Sequence, residues 1–340
     1  MRINHNSYES QEVQPSDQAG GVFDILTPEL MVEAVEKALG CSMTGLAIAM
    51  PSYINRVYEF QTTGKERIIA KFYRPGRWSY RTLLDEHEFM HDCHQTEIPL
   101  VPPIQLSDGK TLAQTENIYF ALFEKKSGRE FDVNTEEDWI RIGSILGRLH
   151  AVGSAKNAPA RIKLHPLDIT TEEVKFLTKG NIIPEPYRTE FKAICEEIIE
   201  LISPYFNDIE YIRTHGDCHR GNLLERPGEG LMLIDFDDMM NAPPIQDLWL
   251  LLPAQADECR NEINLLLEGY EQFCDFDYST LKLIEPLRVM RIIYFLSWCA
   301  TQLGDYQFEN LYPDWGTPAF WMRENSDLQL QLQLIKQSLN

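Results

Sequence analysis

The run His215-Gly216-Asp217-Cys218-His219-Arg220-Gly221-Asn222, followed by Leu231-Met232-Leu233-Ile234-Asp235-Phe236-Asp237-Asp238, constrains this chain more than any other feature. The first run spaces His, Asp and Asn as H-x-D-x-x-x-x-N, and the second puts a carboxylate at the end of a short apolar strand. Between them, Pro227-Gly228-Glu229-Gly230 has the composition of a hairpin turn. Such a hairpin returns Asp235 to the side of Asn222, so three polar groups distant in sequence share one small volume. The residue types suit phosphoryl transfer from ATP, which needs a carboxylate to orient a hydroxyl nucleophile and oxygen ligands to hold Mg²⁺. Asp217 fits the first task. Asn222 and Asp235 fit the second, because Mg²⁺ takes hard oxygen ligands and few protein contacts. The bland alternative makes Asp217 a turn residue and Asn222 a cap. The apolar segments on both sides, Tyr211-Ile212 and Leu223-Leu224, count against it.

The preceding third of the chain supplies the parts such a loop requires. Residues 55–61 alternate apolar and polar side chains, and 67–73 are β-branched and aromatic, with Thr62-Thr63-Gly64-Lys65 as the turn between them. Lys71 stands in the middle of the second strand. It is either a snorkelling edge residue or a cation that holds the α- and β-phosphates. Ser79 caps a helix to about residue 94. On it Glu86 is the expected partner of Lys71, in preference to Asp85 and Glu88 on other faces. Ser52-Tyr53-Ile54-Asn55-Arg56 occupies the place of a phosphate-covering loop but has no glycine. Phosphate contacts there fall to backbone N–H groups and the Ser52 hydroxyl. The same helix carries His87-Glu88-Phe89-Met90-His91, an H-E-x-x-H that could be taken for a zinc peptidase core. No third ligand stands at a familiar spacing, and the helix is already needed after the Lys71 strand.

From residue 124 onward the periodicity is mostly helical, with helices expected at about 135–150, 188–203, 245–252, 261–273, 280–299 and 319–338. This gives an α+β chain of two lobes: a sheet-rich unit over 22–123, a hinge near Phe123-Glu124, and a helical unit over 124–340, after a flexible polar tail over 1–21. ATP is expected between the lobes.

Composition narrows the partners. The net charge is −21, which repels phosphate backbones and argues against nucleic acid, while favouring cationic partners. The first 20 residues lack an apolar signal region, and the longest apolar stretch, around 291–300, is too short for a bilayer. Seven scattered cysteines with no C-x-x-C pair point to a reducing cytoplasm. No membrane partner and a monomer are expected.

The chain resembles the aminoglycoside-phosphotransferase-like kinases, and within them the stress response kinase A family of bacterial serine/threonine protein kinases. The resemblance covers about 23–321. It rests on Ser52-Tyr53-x-Asn55-Arg56-Val57-Tyr58, Lys71-Phe72-Tyr73-Arg74-Pro75-x-Arg77-Trp78, Glu86-His87 and Leu146-Gly147-Arg148-Leu149-His150. It continues through the 215–222 loop, Gln246-Asp247-Leu248-Trp249 and Ile284-Glu285-Pro286-Leu287-Arg288. The resemblance implies Asp217 as proton acceptor, Asn222 and Asp235 as metal ligands, Ser52 at the ATP site, and Asp247 as a brace beneath the catalytic loop. It leaves Asp237 between a second metal contact and a cap. It also implies protein hydroxyls as acceptors, with autophosphorylation; Ser7, Ser10 and Ser16 lie in a tail expected to reach the cleft. Two rival readings stand beside it. One is a small-molecule kinase of the same fold acting on an amino alcohol, sugar or aminoglycoside. The other is a catalytically idle ATP-binding regulator, against which the intact set Lys71, Asp217, Asn222 and Asp235 argues.

Overall fold

The structure is a computed structural model that describes residues 22–339 apart from 53, 304 and 305. The N-terminal lobe comprises α1 (Pro28–Leu39), β1 (Met43–Met50), β2 (Arg56–Thr62), β3 (Arg67–Phe72), α2 (Tyr80–Gln95), β4 (Ala113–Thr115) and β5 (Ile118–Glu124). Its strands form one antiparallel sheet in the order β1-β2-β3-β5-β4. Phe60, Ile68, Ala70, Phe72, Phe120 and Leu122 are buried and pack with Met31 and Val35 of α1. The alternation of β2 and β3 therefore has a simple cause: one face of each strand is covered and the other is not. Helix α2 begins where Ser79 Oγ accepts the Thr82 N–H at 3.2 Å.

The second lobe follows as β6 (Arg129–Glu130), α3 (Glu136–Gly153), α4 (Ile169–Thr178), α5 (Tyr187–Ile202), β7 (Ile212–Thr214), β8 (Leu223–Arg226), β9 (Gly230–Leu233) and β10 (Met240–Ala242). It ends with α6 (Ile245–Trp249), α7 (Arg260–Tyr270), α8 (Ile284–Thr301), α9 (Tyr306–Leu311) and α10 (Pro318–Ser338). Thr135 and Asp138 close a capping box at the start of α3. Helices α3 and α7 cross at very short range. A Cβ on Gly143 would lie 1.9 Å from Leu266 O, and one on Gly269 would lie 2.0 Å from Ile140 O. This contact fixes α3 beneath the loop that follows β7.

Several elements depart from the sequence expectation. Helix α1 was not anticipated, although Thr27 caps it and Pro28 opens it. Strand β1 was missed because it is an edge strand, mostly half-exposed or exposed, with little apolar alternation. Helix α4 was missed because Ile169-Thr170-Thr171 is β-branched and favours strand on propensity alone. The helix expected over 280–299 is instead a 3₁₀ turn, Tyr278–Leu283, followed by α8. Pro286 sits in the first turn of α8, where its missing N–H costs no hydrogen bond. Phe123 and Glu124, where the hinge is expected, are the last two residues of β5, and Lys125 N–H donates to Arg67 O at 3.0 Å.

No described helix is long and apolar enough to cross a membrane. None of the seven cysteines forms a disulfide.

Candidate active site

Strand β7 delivers the chain into the 215–222 loop, and the loop is held from below by α6. Asp247 accepts the backbone N–H of His215 at 2.7 Å and of Gly216 at 2.8 Å. It also bonds His150 Nε2 at 2.9 Å, with both side chains fully buried. Gly216 has φ +83, and a Cβ there would lie 2.0 Å from Asp238 O. Only glycine fits that backbone and that gap. His215 Nε2 meets Ile234 O at 2.8 Å while its ring packs on Phe236 at 4.6 Å. The histidine therefore braces the loop against the hairpin.

The hairpin brings the expected ligands together. Leu223 pairs with Leu233 in the β8–β9 ladder, and Ile234 N–H donates to Asn222 O at 3.1 Å. Asp235 is the next residue. Asn222 Nδ2 donates to Asp217 O at 2.9 Å, so its amide oxygen is turned away from that bond. Asp235 has φ +61, a left-handed conformation that Asp tolerates, and its carboxylate projects outward with the side chain 53% exposed. An amide oxygen and a projecting carboxylate are the donor types that Mg²⁺ takes. These two residues fit the metal, and Asp237 lies beside them.

Lys71 joins this group from β3. Its ammonium lies 2.9 Å from Asp235 Oδ1 and also pairs with Asp237 Oδ1. Burial alone would lower the Lys71 pKa, but Asp235 and then Asp237 raise it well above the ordinary range. Burial alone would raise Asp235, and Lys71 reverses this, keeping the carboxylate ionised. Asp237 is further fixed by Asn55 Nδ2. Asp237 thus pairs with Lys71 and accepts a hydrogen bond from Asn55, and it caps no described helix.

Asp217 stands at the mouth of the loop. Arg291 of α8 donates to its Oδ1 at 2.7 Å, and His219 Nε2 lies 3.7 Å from its Oδ2. Burial opposes ionisation of Asp217, but Arg291 outweighs it, helped by His219 and His215, and holds the carboxyl below its usual range. A carboxylate with one oxygen clamped and the other open can accept a hydrogen bond from an incoming hydroxyl.

Glu86, expected to steady Lys71, favours that ammonium only through space, after Asp235 and Asp237, while its Oε2 accepts from Arg161 Nη2 at 2.7 Å. Arg161 comes from the loop between α3 and α4 and is fully buried against Trp78. Lys71 is already held by two carboxylates, so Glu86 turns to the cation that lacks one. Its neighbours are spent elsewhere: Asp85 accepts Ala160 N–H, and Glu88 pairs with Lys156. Ser52 lies in the β1–β2 loop, half-exposed, and makes no hydrogen bond to another described residue; Tyr53 lies outside the described residues.

The H-E-x-x-H has no metal geometry. His87 is buried with both ring nitrogens occupied, by Tyr73 Oη at 3.1 Å and Thr111 Oγ1 at 2.8 Å. Burial, then Lys71 and Arg161, lower its pKa to about 3. His91 is exposed and bonds Gln95. Among the described residues no three His, Cys, Asp or Glu side chains gather as a metal cage.

Sequence reasoning missed Arg161 and Arg291, whose partners are far away in the chain, and it gave no role to the side chain of Asn55. Arg77 lay within a quoted motif without a role, and it pairs with Asp238. No local pattern marks the first two.

Comparison with known proteins gives the family. The model of the phosphotransferase enzyme family matches residues 48–284. Stress response kinase A of Escherichia coli (strain K12) is 32% identical over 316 residues, covering 93% of this chain and 95% of that protein. A protein of Salmonella typhimurium (strain LT2) named serine/threonine protein kinase RdoA is 31% identical, covering 92% of this chain and 94% of its own. Among solved structures, an amicoumacin kinase in complex with AMP-PNP, Ca²⁺ and Ami aligns with TM-score 0.69 at 18% identity, over 88% of this chain and 93% of that one. A microcompartment-associated aminopropanol kinase aligns with TM-score 0.66 at 14% identity, over 92% and 97% of the two chains. These two share the fold, which is the two-lobed kinase-like architecture expected from the sequence. With a family model over most of the chain and relatives above 30% identity along almost all of it, this protein belongs to the phosphotransferase enzyme family and, within it, to the stress response kinase A family.

Proposed function

We propose that this chain is a serine/threonine protein kinase that moves the γ-phosphoryl group of ATP to protein hydroxyls, its own included, as a monomer in the bacterial cytoplasm during a stress response. The observation that supports it most is the convergence of Asp217, Asn222, Asp235 and Lys71 at the junction of the lobes. The protein acceptor rests on the name carried by the Salmonella relative and on the family. The unit over 22–123, with Ser52, Lys71 and Glu86, is the nucleotide side, and the unit over 124–340 is the acceptor side.

The residues divide the work as follows. Lys71 exchanges Asp235 for the α- and β-phosphate oxygens when ATP enters. Asn222 and Asp235 would hold Mg²⁺, which neutralises charge on the phosphates. Asp217 accepts the hydrogen bond of the acceptor hydroxyl and takes its proton as the new P–O bond forms and the bond to ADP breaks. Asp247 keeps the loop in place throughout. Glu86 acts through Arg161, by fixing α2 behind Lys71.

The test is incubation with labelled ATP and Mg²⁺, with and without a generic basic protein. Phosphoserine or phosphothreonine on that protein or on the enzyme is the expected result. Ser7, Ser10 and Ser16, the expected positions on the enzyme, lie outside the described residues. If no protein is labelled and a panel of amino alcohols, sugars and aminoglycosides yields product, the small-molecule reading replaces this one. The idle-regulator reading is sustained only if neither occurs while ATP still binds.

A further inference from the structure

Glu173 of α4 has no part in the machinery above. Its Oε2 is buried, and among the described residues it meets no hydrogen-bond partner and the side chain forms no ion pair. The residue as a whole is half-buried, so one edge remains accessible. A buried carboxyl without a partner weakens the fold, and native chains keep such groups where a ligand completes them.

Its surroundings indicate which ligand. Helix α4 packs on α8, and the charged group that faces Glu173 is the guanidinium of Arg291. Arg291 in turn holds Oδ1 of Asp217 at 2.7 Å. Glu173 is therefore a single side chain away from the proton acceptor, on the acceptor side of the loop. The same stripe of α8 continues with Tyr294, Phe295 and Trp298, all half-buried, at steps of three, four and seven from Arg291. Arg291 lies over the Tyr294 ring at 5.2 Å, and the Phe295 and Trp298 rings stack at 5.7 Å.

We propose that Glu173 is an acceptor-specificity residue that receives an ammonium or guanidinium group carried by the acceptor close to its reacting hydroxyl. The inference rests on the phosphotransfer reading above and adds the chemistry of the acceptor. Burial pushes the Glu173 carboxyl up to about 8, with Arg291 pulling the other way, so without a cation beside it the acid is largely neutral near neutral pH. A cation seated beside it restores the charged form and gains a charge-assisted hydrogen bond; a neutral acceptor gains neither. In a protein acceptor the cation is a Lys or Arg flanking the Ser or Thr. In a small acceptor it is an amine near the hydroxyl.

The experiment has two arms, both read as kcat/KM with full-length wild type, Glu173→Gln and Glu173→Asp. In the first, Ser/Thr peptides with Lys or Arg beside the acceptor are compared with the same peptides carrying norleucine or citrulline. In the second, 2-aminoethanol is compared with ethane-1,2-diol. Wild type is expected to favour the cationic member about 10-fold or more in the arm that yields product, the size of one hydrogen bond to a charged group. Glu173→Gln is expected to reduce that ratio to about 2-fold or less, with Glu173→Asp retaining part of it. A thermal melt accompanies the assay, since a purely structural carboxylate would make Glu173→Gln less stable, whereas an unpartnered one leaves it as stable or more so. Equal turnover of both members by wild type, or an undiminished ratio in Glu173→Gln, overturns the subsite. Product in the small-molecule arm alone displaces the protein-kinase reading, and the ratio in that arm still decides the subsite. Product in neither arm sinks both.

Discussion

The Arg161 guanidinium and the Glu86 carboxylate meet at 2.7 Å with side chains 0% and 1% exposed, the most fully enclosed ion pair across the two lobes. The remaining donors of Arg161 reach Thr82 O at 2.9 Å, Asp237 O at 2.6 Å and Met239 O at 3.2 Å. One side chain thus ties α2 of the first lobe to the segment that carries Asp235 and Asp237. Buried charges are tolerated when they are paired and hydrogen-bonded, and Arg161 makes four such bonds here. Burial and the nearby Asp237 raise the Glu86 pKa, while Arg161 and Lys71 pull it down.

Removing Arg161 should therefore cost more than removing an ordinary ion pair. Arg161→Met leaves Glu86 buried and uncompensated, and a loss of about 3–5 kcal/mol in urea unfolding is expected. Adding Glu86→Leu to it should recover part of that loss. A single variant as stable as wild type would show that the tether does not hold the lobes.

Asp217→Asn should retain the fold and ATP binding while transfer falls ~10²–10⁴-fold, because the nucleophile loses its orienting carboxylate. Residual activity above about a tenth of wild type would mean that Asp217 has been given the wrong role. A thermal melt separates this from loss of structure.

Asp235→Ala should weaken Mg²⁺-dependent ATP binding ~100-fold or more, beyond what outer-shell partners of a metal usually contribute. Calorimetric titration of ATP with and without Mg²⁺ measures it. Exchanging His91 for Gln should leave transfer intact. Stoichiometric zinc in the purified protein together with peptidase activity would overturn the assignment.

Glu173 supplies a pH signature. Its ordinary value is 4.5 and its folded value about 8, so between them the native state holds a proton that the unfolded chain has released. Wild-type stability should fall as pH rises through that window, by up to ~1.4 kcal/mol per pH unit for one proton. Glu173→Gln carries no such term, so its stability advantage should grow from about pH 5 to about pH 8. A difference that stays flat in denaturant titrations across that range would remove the raised carboxyl.

The net charge of −21 predicts a salt dependence. Basic peptide acceptors should react faster at low ionic strength, since screening sets in over ~8–10 Å at physiological salt. A rate indifferent to salt would mean that the field at the acceptor side is local rather than global.

The sequence by itself determined the parts of the site that are short-range. The spacing from His215 to Asn222, and a hairpin of two apolar strands, are enough to put Asp235 beside Asn222, because antiparallel pairing of Leu223 with Leu233 leaves no other place for it. The position of Lys71 followed from strand alternation, and Asp247 from a family motif. The tertiary structure alone decided how the charges pair. Asp85, Glu86 and Glu88 share one helix, and only the approach of the second lobe gave Glu86 to Arg161 and left Lys71 to Asp235 and Asp237. Arg291 reached Asp217 from 74 residues away, and Glu173 came to rest beside it without any motif. Periodicity fixes neighbours within about one turn or one ladder step, whereas pairing between distant buried charges depends on how helices and lobes cross.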